Sequence, residues 1–199
     1  MENKLNNKDR VVKLGEVFTP EYIVKDMLDE ISELHYSSRI FEPGCGNGNF
    51  LIQILERKLY SLIKLKEIKE SIKTNNLDEF HYKIFIVVSS IYSVEIDSQN
   101  REEAIKRLES KISDFYIETI KKEIPDFLRN LLKKILYKNI VLGDLINKTS
   151  EIYFFEYSQI PGFKVKIRKF KFKDLLHPDD EVFEDELKLF GHVPKAIEE

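Results

Sequence analysis

Ile40-Phe41-Glu42-Pro43-Gly44-Cys45-Gly46-Asn47-Gly48-Asn49-Phe50-Leu51 has the pattern of a strand, a tight turn and a helix in immediate succession. A short apolar run reaches a carboxylate, glycines alternate through a turn, and an amphipathic segment begins. Glycines gather at a strand-to-helix junction where the backbone must kink sharply and a ligand must approach closely. The spacing Gly44-x-Gly46-x-Gly48 separates this turn from two familiar ones. A dinucleotide fingerprint needs a third glycine where Asn49 stands. A phosphate-cradling loop needs Gly-Lys-Ser/Thr, but Asn49-Phe50 follow Gly48. With no cation at the helix start, a ligand without phosphates fits the turn better.

Elements can be read outward from the turn. Upstream, Thr19 can cap a helix with Pro20 in its first position and Glu21 at the positive end of the dipole. Ile23, Met27, Leu28, Ile31 and Leu34 recur at helical spacing and are expected to face the core. Downstream, Leu51, Leu55, Leu59 and Leu62 mark one face of a long helix that Lys66 would continue. Residues 66–78 read as a solvated helix end and loop, and Glu79–Ser90 as helix rather than strand. Ile91–Ile96 reads as a second strand. A helix is predicted over 99–121, with Ile105, Leu108, Ile112 and Phe115 on one face, and another from about Pro125 to Tyr137. Asn139–Leu142 is a third strand closing on Gly143-Asp144. Strands alternating with helices predict a Rossmann-like α/β fold, a parallel sheet in three layers. Two β-rich pieces, Ile152–Tyr157 and Phe163–Arg168, follow. The expected organisation is a flexible lead-in over 1–14, one domain over 15–176, and a peripheral acidic tail over 177–199.

The chain has 199 residues, 42% apolar and 34% charged, enough for one domain with a sizeable core. No apolar run approaches the roughly 18 residues of a membrane span, and the first residues lack the apolar stretch of a secretory signal. The single cysteine, Cys45, rules out an internal disulfide and suits a cytoplasmic location. Net charge is −3. Phosphate neutralisation supplies most non-specific DNA affinity, so this balance gives no support for tight DNA binding by the chain alone. His35, His81, His177 and His192 lack metal-ligand spacing, and no metal site is expected.

The segment Glu42–Leu51 resembles the Asp/Glu-Pro-x-Cys-Gly-x-Gly-x-Phe-Leu signature of S-adenosylmethionine-dependent adenine-N6 DNA methyltransferases of the restriction–modification type. Three more segments stand in that family's order: Phe18-Thr19-Pro20, Val94-Glu95-Ile96-Asp97 and Gly143-Asp144. The resemblance covers about residues 15–146 and implies a class I methyltransferase fold with S-adenosylmethionine as cofactor. It implies that Glu42 faces the cofactor's amino group, with Pro43, Gly44, Cys45, Gly46 and Phe50 around the methionine and ribose. Phe18, Thr19 and Pro20 would help bind the methionine carboxylate, to which a helix N-terminus is suited. A carboxylate at a strand end can accept two hydrogen bonds from a ribose diol. Glu95 is the first choice for that role and Asp97 the second. Asp144 would accept from the adenine amine, with Ile96, Leu145 or Ile146 beside the ring. Cys45 reads as a small side chain beneath the cofactor rather than a nucleophile.

The same family transfers the methyl with an Asn/Asp-Pro-Pro-Tyr/Phe loop whose acceptors orient the adenine amine and whose aromatic ring stacks on the flipped base. The six prolines here stand at 20, 43, 125, 161, 178 and 194, so no two are adjacent. Gln159-Ile160-Pro161-Gly162-Phe163 is the nearest imitation, but Ile160 offers no side-chain acceptor, and Pro161-Gly162 reads as a turn between strands. No catalytic residue is therefore assigned. Lys164, Lys166 and Arg168 alternate with apolar residues, which puts them on one face of a strand. That face could contact DNA or an acidic partner, or the lysines could protect an edge strand from aggregation. The stretch after Asp144 is expected to be too short for a target-recognition domain. The resemblance thus implies the cofactor-binding half of a split enzyme, whose partner chain carries Asn-Pro-Pro-Tyr and reads DNA. Two alternatives are a non-catalytic structural or regulatory subunit, and a methyltransferase acting on a small molecule or protein.

Overall fold

The computed structural model describes residues 19–31, 34–148 and 151–172, together with the backbone of 183–188. Six helices and six strands lie within these residues: α1 (Glu21–Asp29), β1 (Ile40–Glu42), α2 (Asn49–Leu62), α3 (Lys66–Thr74), α4 (Asp78–Ser89), β2 (Ile91–Glu95), α5 (Ser98–Ile120), α6 (Asp126–Asn139), β3 (Ile140–Leu142), β4 (Tyr153–Ile160), β5 (Lys164–Lys171) and β6 (Phe183–Lys188). The protein is α/β. Strands β1, β2 and β3 form a parallel sheet in that order, flanked by helices.

The parallel sheet has two unlike faces. Ile40, Ile91 and Ile140 belong to a large core shared with the leucines of α2 and the apolar faces of α4, α5 and α6. All four leucines of the predicted α2 face, Leu51, Leu55, Leu59 and Leu62, are fully enclosed. On the opposite face Tyr92 and Val94 meet Ile152, Phe154, Phe170 and Phe172 in a smaller core. Side chains alternate across a strand, so consecutive residues of β2 enter different cores. This explains why all five residues of β2 are buried.

A second, antiparallel sheet in the order β4-β5-β6 carries the aromatic residues of the smaller core. Its hairpin turns at Pro161-Gly162-Phe163, with Gly162 and Phe163 at φ of 85° and 57°. The two-strand reading of this region and its turn therefore match the structure. The hairpin uses both its faces: Phe154 and Phe170 face each other across the ladder and enter the smaller core. Tyr157 and Ile167 likewise pair, but enter the larger one.

Four local expectations need correction. Thr19 does not cap α1; Pro20 is the N-cap, no side chain caps the helix, and the Pro20 carbonyl accepts from the Ile23 and Val24 amides at 3.0 and 3.1 Å. Val24 and Leu28 face inward, whereas Met27 and Ile31 are 54% and 46% exposed, because this peripheral helix buries only the stripe against α2. Residues 66–74 form a separate helix, α3, anchored by fully buried Ile68, rather than a fraying end. Finally, β5 is the central strand of its sheet, not an edge. Part of the acidic segment supplies its neighbour, with Glu186 opposite Lys166 and Glu184 opposite Arg168 in the register. The lead-in over 1–14 lies outside the described residues, as does the rest of the 177–199 segment. No described helix is long and apolar enough to cross a membrane.

Candidate functional site at the carboxyl ends of the parallel strands

The register brings the glycine turn, Glu95 and Gly143-Asp144 to one end of the sheet. Glu42 ends β1, Glu95 ends β2 opposite Leu142, and the Gly143 amide donates to the Glu95 carbonyl at 2.9 Å. The turn itself needs glycine. Gly46 and Gly48 sit at φ of 52° and 91°, a region costly for residues with a Cβ. A Cβ on Gly48 would also come within 3.0 Å of the Ala104 Cβ on α5. Gly44, by contrast, has nothing within 4 Å of where a Cβ would stand, so the turn is open on that side.

Glu95 organises this end of the sheet. One carboxylate oxygen accepts from the Gly46 amide at 2.7 Å and the other from the Asp97 amide at 3.0 Å. The side chain is 7% exposed, so these bonds lie where water competes weakly. Each oxygen retains a second lone pair for a ligand hydroxyl. Asp97, the second choice for a ribose contact, instead caps α5 by accepting from the Asn100 amide at 2.8 Å. Burial raises the Glu42 carboxyl, partly offset by a hydrogen bond from the Gly44 backbone.

Cys45 lies in the turn as a thiol. Burial pushes it up to about 11, with a hydrogen bond to Ser93 opposing and the Glu95 and Glu42 carboxylates reinforcing the rise. A thiol that stays protonated is a poor nucleophile.

Asp144 is engaged by its own loop. It accepts from the Asn147 side chain at 2.8 Å and from the Asn147 and Ile146 amides at 3.0 and 2.8 Å. Those bonds, the Asn147 side chain first, hold its carboxyl below the usual range. Leu145 turns into the smaller core, leaving Ile146 89% exposed. Ile96 is 57% exposed and Leu142 50% exposed at the same end. Phe50 is half-buried and packs against the larger core, and Pro43 lies on the surface. Phe18 lies outside the described residues.

Thr19 joins the site through its backbone rather than its hydroxyl. The Asn49 side-chain amide donates to the Thr19 carbonyl at 2.9 Å. The Asn49 Oδ1 accepts from Arg107 Nη1 at 2.9 Å, and the same nitrogen donates to the Asn47 carbonyl at 2.7 Å. The sequence marks Asn49 as a departure from the dinucleotide and phosphate-loop patterns and as the start of a helix, without a role in the site, and it does not mark Arg107. Nothing in the local pattern distinguishes Arg107 from the other charges of a long amphipathic helix.

The basic strand is matched by carboxylates. Arg168 stands 3.8 Å from Glu156 on β4, which also pairs with Arg39 at 2.5 Å. Lys164 and Lys166 alternate with buried Val165 and Ile167 as expected. Opposite charge across the ladder stabilises the sheet and reduces the positive field a nucleic acid would meet. Among the described residues no group of three or more His, Cys, Asp or Glu could hold a metal. Comparison of the chain with protein-family models, with curated proteins and with solved structures returns no match.

Proposed function

We propose that this chain is the S-adenosylmethionine-binding component of a split adenine-N6 DNA methyltransferase of the restriction–modification type. A second chain carrying Asn-Pro-Pro-Tyr and a DNA-reading part would complete it. The observation that carries this reading is the convergence of the glycine turn, Glu95 and Gly143-Asp144 on the carboxyl ends of three adjacent parallel strands. Ligands of open α/β sheets lie in the crevice beyond those ends, at the point where strand order reverses. Here the order runs β1-β2-β3, and among the described residues nothing pairs with the outer side of β1. Among the described residues the glycine turn therefore belongs to an outermost strand, which would form one wall of such a crevice. A partner chain would supply the other.

The chemistry of that wall supports the cofactor. Glu95 keeps free lone pairs for a ribose diol, exposed Ile96 and Ile146 offer apolar contacts for a purine, and the side of the turn at Gly44 is open. When bound, S-adenosylmethionine would supply the electrophilic methyl group. This chain's residues would bind and orient the donor, while the acceptor chemistry comes from the partner's loop.

A second reading, a methyltransferase-like subunit without catalytic function, draws on one observation: both Glu95 oxygens already satisfy backbone amides, a complete structural role. Methyl-transfer assays on adenine-containing DNA separate the two. The chain mixed with an Asn-Pro-Pro-Tyr protein that lacks its own glycine turn is expected to transfer labelled methyl groups to adenine N6, and neither chain to do so alone. Transfer by the isolated chain would overturn the split arrangement. No cofactor binding by the chain and no transfer in any mixture would favour the second reading.

A further inference from the structure

The glycine turn is held from two directions, and only one was visible in the motif. From β2, Glu95 takes the Gly46 amide. From α5, Ala104 meets Gly48 closely and Arg107, one helical turn further, reaches over the same face. Its guanidinium nitrogen bridges two acceptors, the Asn47 carbonyl at 2.7 Å and Asn49 Oδ1 at 2.9 Å. An amide side chain whose oxygen is fixed in this way has its nitrogen aimed as well. The Asn49 nitrogen points to the Thr19 carbonyl at 2.9 Å, immediately before the uncapped start of α1.

Beside it, Gln53 donates to Glu21 at 2.9 Å, and Arg57 holds the other end of α1 through the Leu28 carbonyl at 2.8 Å and Asp29 at 2.5 Å. Thus α1 is tied along its length to α2, and among the described residues the hydrogen bond from the glycine turn to the segment before α1 is the one from Asn49 to Thr19.

We infer that Arg107 is a positioning residue. Through Asn49 it fixes the distance between the glycine turn and the Thr19-Pro20 segment, and so selects for the amino-acid end of the ligand. The inference rests on the reading of this end of the sheet as an S-adenosylmethionine site. Both bonds leave one guanidinium nitrogen, Nη1, whose two N–H bonds diverge in a fixed plane and so keep the two acceptors in fixed relation, which a freely rotating lysine ammonium does not. The adenine and ribose lie against β2 and β3 in that reading. A fault in the Arg107–Asn49–Thr19 chain should therefore be felt at one end of the ligand alone.

Two ligands make this measurable on the full chain by calorimetry. S-adenosylhomocysteine carries the amino-acid end; methylthioadenosine lacks it. Wild type is expected to prefer the former at least about tenfold, roughly 1.4 kcal/mol. Arg107→Gln removes the guanidinium nitrogen that bridges Asn47 and Asn49. Asn49→Asp keeps an acceptor for Arg107 but loses the donor to Thr19, and it carries the test if Arg107→Gln does not fold. Both variants are expected to reduce the preference to below about threefold by weakening S-adenosylhomocysteine, with methylthioadenosine unchanged. Equal weakening of both ligands would make Arg107 a structural support only and overturn the inference. So would an unchanged preference in Asn49→Asp. Failure of wild type to bind either ligand would instead overturn the site reading, and this inference with it.

Discussion

Single side chains decide whether the carboxyl end of this sheet can act as a binding site, and Glu95 has the largest share. Its carboxylate satisfies two amides that would otherwise be stranded beneath the turn. Leaving a buried donor unpaired costs about 1–3 kcal/mol. Glu95→Ala is therefore expected to lower Tm by about 5 °C in a chain of this size, and to abolish cofactor binding. Thermal melting followed by calorimetry checks both halves. A variant that melted normally and bound normally would show that the turn holds its own shape. Cys45 gives an independent probe because it is the only cysteine in the chain. With its thiol pushed up to about 11, chiefly by burial, alkylation at pH 8 should be far slower in the folded protein than in the unfolded one. Equal rates in the two states would mean that the turn is open to solvent.

Elements were legible wherever local pattern and tertiary burial agreed. The leucine face of α2, the buried run of β2 and the glycines between β1 and α2 all carry their own signal, and each forms where the pattern predicts it. The helix α3 was obscured because Lys66–Thr74 contains only two apolar residues, Ile68 and Ile72, too few to outweigh its charges. The central position of β5 was obscured for a different reason. Its partner β6 comes from an acidic segment whose alternation with Phe183 and Leu187 is a weak strand signal, and charge complementarity is visible only once the register is known. At the site, strand ends announced Glu42, Glu95 and Asp144, whereas the Arg107 contact depends on the packing of α5 against a turn distant in sequence.

One tie between elements gives a pH-dependent prediction. Lys58 on α2 is fully buried and donates to the Ser38 carbonyl and to Ser90 Oγ, joining the helix to the chain just before β1 and β2. Burial lowers its ammonium to about 7 from the usual 10.5. Between those values the unfolded chain binds more protons, so stability rises with pH through this window, by up to about 1.4 kcal/mol per unit. Relative to Lys58→Met, the wild type should lose stability as pH falls from about 10 to 7 and change little below. Denaturant titrations of both proteins across that range test the sign. A difference independent of pH would contradict it.

At the scale of the whole molecule, the parallel sheet brings Glu42, Glu95 and Gly143-Asp144 to one end, and an antiparallel hairpin packs against the face turned away from the helical core. The covering hairpin explains how a sheet of three short strands is enclosed on both faces. Among the described residues no strand pairs with the outer side of β1, where the proposed second chain would sit. The proposed function requires the carboxyl end of the sheet to hold S-adenosylmethionine without the proposed partner. Calorimetric titration of the cofactor into the purified full chain tests this most directly. The expected result is saturable one-site binding in the micromolar range, about −8 kcal/mol, lost in Glu95→Ala. A wild-type titration without binding at roughly millimolar cofactor, above about −4 kcal/mol, would contradict it.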